Sequence, residues 1–129
     1  MNIENLVMIN FFGEGYYSGN TESHSMIVDK AFYEQYQNEI NSYQPSSYEL
    51  DGKHSDVSGD LSIEYITRDN LDHVVATVVE DDHYPVYEVL CDLCDDEKYV
   101  EDQYKIHETF ESLCKVEVIK KIMFDGEVL

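Results

Sequence analysis

Cys91, Cys94, His107 and Cys114 come closest to a chemical signature in this chain, with the spacing Cys-x2-Cys-x12-His-x6-Cys. Zinc takes four nitrogen and sulfur ligands in a tetrahedron, and the first three intervals match a zinc-finger spacing while the last runs long. In a finger, however, the first two cysteines flank a knuckle, whereas "VYEVLCDLCDDEKYV" reads as helix. A finger also contacts nucleic acid through basic residues, and this segment is the most acidic of the chain. The competing reading makes Cys91 and Cys94 small buried or half-buried residues on a helix and Cys114 a core residue. No metal or other cofactor is therefore expected, and a zinc-binding module on Cys91, Cys94, His107 and Cys114 stands as an alternative. A thioredoxin-like redox pair is disfavoured too, because no strand leads into "CDLC".

Two further stretches fail as sites when their chemistry is worked through. "LVMINFFGEGYYSGN", residues 6–20, places Gly13, Gly15 and Gly19 after an apolar run, as a phosphate loop does. A dinucleotide fingerprint needs a third glycine where Ser18 stands, and a P-loop needs a lysine after Gly19, where Asn20, Thr21 and Glu22 follow. Glu14 would repel the phosphate. The stretch is better read as a glycine-permissive hairpin loop. "DGKHSDVSGD", with Asp51, His54, Asp56 and Asp60 and then Glu64, has no register that meets the calcium-loop pattern, and reads as a solvated loop. His24, His73 and His83 are isolated in sequence, and no serine, histidine and aspartate grouping has a nucleophile elbow. The chain is not expected to be an enzyme.

Charge is more informative. The 129 residues hold 28 acidic against 8 basic side chains, a formal net charge of -20. That is far beyond what solubility asks of a small domain, and self-repulsion of this size opposes folding. Direct nucleic-acid binding is disfavoured, because phosphates are gripped by Lys and Arg. The partner this charge selects is itself basic, and a protein that normally grips DNA or RNA offers such a surface. Twelve of the acids fall within residues 80–111, where Lys98 and Lys105 are the basic residues. On a helix, carboxylates three or four residues apart stand about 5–6 Å apart at Cβ. Phosphates along one DNA strand rise about 3.4 Å per step, so such an array can lay out charge at a comparable pitch.

The elements that must position these groups follow from periodicity. An apolar content of 43%, with 12% aromatics, suits a folded chain of one domain, residues 1–129. Residues 5–12 and 22–28 read as strands around the glycine loop. Asp29 is a helix N-cap, and Phe32, Tyr33, Tyr36, Ile40 and Tyr43 form one stripe running up to Pro45, with Glu34 and Glu39 facing away. Strands near 47–51 and 60–66 form a second hairpin. Leu71, Val74, Val75 and Val78 have helical spacing, and Pro85 opens a short helix over 85–94. In 96–113, Tyr99, Ile106, Phe110 and Leu113 share a face, with Glu101 and Lys105 paired on another. "KVEVIKKIMF" closes the chain as a strand. The expected fold class is α+β: a mainly antiparallel sheet of about five strands with one early helix and two or three late helices.

Three cysteines make no disulfide framework, the first residues carry no positive n-region, and no apolar run reaches the roughly 20 residues of a membrane span. A cytoplasmic protein without a membrane partner is expected. In composition the chain resembles small acidic phage-encoded inhibitors that mimic DNA to block restriction or CRISPR nucleases, a likeness of physics rather than of motifs. The expected function is therefore an anti-CRISPR or anti-restriction type inhibitor that fills the basic nucleic-acid groove of a nuclease. An immunity protein or antitoxin against a basic nuclease toxin is the alternative with the same charge logic. The expected contacts are Asp81, Asp82, Asp95, Asp96, Glu97, Glu101 and Asp102, with Tyr84, Tyr87 and Tyr99 as aromatic anchors.

Overall fold

The computed structural model describes residues 3–14, 21–43 and 59–114. After a 3-10 turn, Ile3–Asn5, come β1 (Leu6–Glu14), β2 (Thr21–Asp29), α1 (Lys30–Gln35), α2 (Gln37–Asn41), β3 (Gly59–Tyr65), α3 (Leu71–Glu80), α4 (Tyr84–Leu93) and α5 (Glu97–Cys114). The class is α+β, but the expectation of about five strands with one early helix is corrected. Among the described residues one antiparallel sheet of three strands, ordered β2-β1-β3, is accompanied by five helices, two before β3 and three after it. The strands expected at 47–51 and within 115–124 lie outside the described residues. The glycine-loop hairpin forms, with β1 and β2 paired from Leu6↔Asp29 to Glu14↔Thr21. β3 pairs with β1 from Val7↔Tyr65 to Gly13↔Gly59.

β1 is central because it is apolar on both faces. Val7, Ile9 and Phe11, with Met26 and Val28 of β2, look into a core shared with Phe32, Tyr33, Ile40, Val86, Leu90 and Val100. Leu6, Met8 and Ile27 look the other way, against Ile3, Ile66, Leu71, Val74, Val78 and Phe110. A strand buried on both sides reads as a continuous apolar run rather than an alternation, which is how "LVMINFF" reads.

The early helix is divided. Asp29 caps α1 as expected, its carboxylate accepting from the Ala31 N–H at 2.9 Å. At Tyr36 the backbone leaves the helical region (φ -108°, ψ 21°), and α2 begins at Gln37. Packing gives the reason. Tyr36 lies against the rings of Phe32 (5.2 Å) and Tyr99 (6.3 Å), and Phe32 and Tyr33 of α1 share their core with Ile40 of α2.

α5 crosses the open edge of β2. Near its start Val100 enters the first core, and near its end Phe110 enters the second. The residues buried between them are polar, Gln103 and His107. Gln103 Oε1 accepts from the Asp29 N–H at 2.7 Å, and His107 Nδ1 accepts from the Ile27 N–H at 3.1 Å. Two strand residues advance about 6.7 Å and four helical residues about 6 Å, so alternate edge amides of β2 meet successive turns of α5. The buried stripe is thus Val100, Gln103, His107 and Phe110. Of the face expected from sequence, Phe110 is in this stripe, while Tyr99, Ile106 and Leu113 are half-buried beside it.

Candidate functional site

α4, the junction at Cys94–Asp96 and α5 carry most of the acidic stretch. Glu88, Asp92, Asp95, Asp96, Glu97, Glu101, Asp102 and Glu108 are exposed, and Asp81 is half-buried. Two of the expected contacts also have local work. Asp82 Oδ1 accepts from the Tyr84 N–H at 3.0 Å at the start of α4, and Asp96 Oδ1 accepts from the Tyr99 N–H at 3.1 Å at the start of α5. A helix N-terminus has unmatched donors and a positive dipole end, so a carboxylate there stabilises the helix. Glu101 lies 3.9 Å from Lys105, both side chains more than half exposed. An ion pair so exposed holds neither partner firmly.

The expected aromatic anchors divide. Tyr84 is 53% exposed and stacks on Tyr87 with ring centroids 6.1 Å apart. Tyr87 in turn meets Tyr104 edge-on at 5.1 Å, Tyr104 meets His83 at 4.9 Å, and His83 lies 4.5 Å from the buried ring of His107. The exposed end of this ladder is therefore anchored in the core. The phenols sit among acids: Tyr84 is raised above its ordinary pKa, first by its hydrogen bond with Glu88, and Tyr87 first by its hydrogen bond with Cys91, with Glu101 and Glu97 adding to the effect. Tyr99 is placed differently. It packs edge-on against Phe32 at 5.1 Å beside the first core, and burial raises its phenol. The sequence reads its ring as an interface anchor because its neighbours are acidic, but α5 turns it toward α1.

The four residues of the zinc alternative are not assembled. Cys94 is buried in the core on one face of the sheet, while Cys114 packs on the core of the other face. Burial raises the thiol of Cys91 and pushes that of Cys94 up to about 12, so both are protonated near neutrality. Among the described residues one group of three potential metal ligands does converge, His83, His107 and Glu111, with ligand atoms within 4.8 Å of one another. Sequence reasoning missed it because His83 lies 24 residues from His107, although the i,i+4 spacing of His107 and Glu111 was visible. Its donor set does not suit a cation. The Ile27 N–H occupies the Nδ1 lone pair of His107, which fixes the ring proton of the neutral imidazole on Nε2. A metal at Nε2 would have to displace that proton and leave an imidazolate, whereas ligating histidines ordinarily donate through their second nitrogen.

Residues 15–20 of the glycine loop and 51–58 of "DGKHSDVSGD" lie outside the described residues. Glu64 accepts from Asn70 Nδ2 at 3.2 Å and lies 3.7 Å from His73 Nε2. Asn70 also bonds Thr67 and the Tyr65 carbonyl, so this cluster closes the turn from β3 into α3. No helix among the described residues is long and apolar enough to cross a membrane. Comparison with known proteins finds no matching family model, no similar curated protein and no similar solved structure.

Proposed function

We propose that this protein is an inhibitor that occupies the basic nucleic-acid groove of a nuclease, as an anti-CRISPR or anti-restriction protein of the DNA-mimic kind does. The observation that carries the reading is that residues 80–111, which span α4 and most of α5, hold twelve of the 28 acids against two lysines, with Asp95, Glu97, Glu101 and Asp102 exposed and Glu97 and Glu101 acting on Tyr87, which stacks on the exposed Tyr84. Carboxylates steer a basic partner, and Tyr84, held by Tyr87, offers a planar surface on which an arginine can stack while its guanidinium meets Glu88. Asp82 and Asp96 act in part through the helices they cap. Tyr99 supports the face from inside.

The test is binding and inhibition of purified restriction, CRISPR and toxin nucleases at physiological salt, with and without competing DNA. Capture of a nuclease that DNA displaces, together with loss of its cleavage activity, supports the reading, and capture of a toxin nuclease makes the protein an immunity factor of the same mechanism. No capture, or capture that DNA leaves unchanged, overturns groove occupancy. Reversal of Asp95, Glu97, Glu101 and Asp102 to lysine, with the cap Asp96 left intact, lowers the association rate by about 100-fold while far-UV circular dichroism is unchanged.

A further inference from the structure

We propose that His107 is a proton-operated latch that holds α5, and with it the acidic face, against the edge of β2. It goes beyond the inhibitor reading and does not depend on it. The latch rests on three features of one buried group. His107 is 0% exposed. Its Nδ1 accepts from the Ile27 N–H, a partner 80 residues away in sequence. Its Nε2 is buried without a hydrogen-bond partner among the described residues, 4.0 Å from a Glu111 carboxylate oxygen.

Neutral imidazole can accept at one nitrogen and donate at the other; imidazolium can only donate. A proton added at Nδ1 therefore sets two N–H groups against each other and breaks the bond to β2. The same proton creates a cation within reach of Glu111, and the ring exchanges an amide for a carboxylate. β2, α3 and α4 pack against α5, and His83 just before α4 is the titratable group from those elements that acts on His107 by its charge. The His83 ring, 4.5 Å away between centroids, acts by its charge against a positive charge on His107. Burial acts in the same direction, and together they lower the His107 pKa to about 4. The latch is closed at neutral pH and opens in acid. Gln103, which cannot titrate, holds the neighbouring amide of Asp29 throughout.

Gln103 also supplies the control. A glutamine at 107 can accept from the Ile27 N–H through Oε1 as Gln103 does for Asp29, but takes up no proton. Hydrogen exchange of the Ile27 amide, read as a protection factor between pH 7 and pH 3, is compared in the unaltered protein and in His107→Gln. The expected result is a fall of at least 10-fold in Ile27 protection in the unaltered protein as pH drops through about 4, with a smaller fall in His107→Gln. NMR titration of the His107 ring in the unaltered protein reads the proton directly and should give a depressed midpoint that coincides with the loss. Equal pH profiles in the two proteins overturn the latch, since titration of the many carboxylates is common to both. An ordinary histidine midpoint near 6.5 overturns it as well.

Discussion

The β2 edge and the α4–α5 junction place polar groups on the same helix in opposite ways. At the edge, Gln103 and His107 are almost fully buried, and each accepts from one backbone amide. An exposed strand edge would be a template for unwanted pairing, and covering it with a helix is one way to prevent that. At the junction, Asp95, Glu97, Glu101 and Asp102 are exposed, and the Glu101 contact with Lys105 is loose. Polar groups whose partners lie within the fold specify the fold. Polar groups left to solvent repel one another and lower their free energy when a cationic surface arrives. Change at the edge should therefore register in stability, and change at the junction in binding.

The sharpest way to break that comparison is acid. A folded-state pKa near 4 against an ordinary 6.5 means that the folded protein favours neutral His107. The resulting contribution is fully present above about pH 6.5 and is lost as pH falls toward about 4, because the unfolded chain takes up the proton first. The shift corresponds to about 3 kcal/mol. Protonating surface carboxylates over the same range relieves repulsion and opposes the loss, so the measurement must be differential. Urea unfolding at pH 7 and pH 4 should show the unaltered protein losing about 3 kcal/mol relative to His107→Gln. No difference would remove the edge from the list of pH-sensitive structure.

At the junction the comparison is sharpened by binding. Tyr84→Ser leaves the carboxylates in place but removes the outer ring of the ladder. With labelled octa-arginine and octa-lysine peptides as probes, the substitution should weaken arginine-peptide binding about 10-fold and lysine-peptide binding much less, because a guanidinium stacks on the ring and an ammonium is a strongly hydrated point charge. An equal effect on both peptides would mean that the face reads charge alone. Thermal unfolding should be nearly unchanged, since Tyr84 is mostly exposed.

Local signals carried the sequence reading far along the chain, and partnerships across the sheet limited it. Asp29 as a cap, Pro85 in the first turn of α4 and the Leu71, Val74 and Val78 stripe are determined by neighbours within a turn, and all are observed. The break at Tyr36 coincides with a ring contact to Tyr99, 63 residues later, and is not legible in the helical stripe it interrupts. Hydrophobic periodicity admits only apolar residues to a core, so the sequence offers Gln103 no role and His107 only that of a zinc ligand; their burial is explained by edge amides of β2. His83 is isolated in sequence, yet its ring lies 4.5 Å from that of His107, tilted by 39°. The acidic face was legible as charge, but which tyrosine stands outside it was not. Tyr84 and Tyr99 both sit among acids, and their different fates are set by the core beneath α5.

Asp96 belongs to both regions and gives the smallest predicted effect. Its carboxylate is exposed on the acidic face, yet it accepts from the Tyr99 N–H and holds the first turn of α5. Asp96→Ala should cost about 1 kcal/mol in urea unfolding, the usual worth of a helix cap. Asp96→Asn isolates the charge, because the amide oxygen can still cap. It should keep most of that stability and lower the association rate with a basic partner only by the small factor due to one of several carboxylates. If Asn and Ala destabilise equally, the carboxylate charge acting on the helix end outweighs the hydrogen bond, and the division between fold-fixing and partner-seeking acids does not hold at the N-terminus of α5.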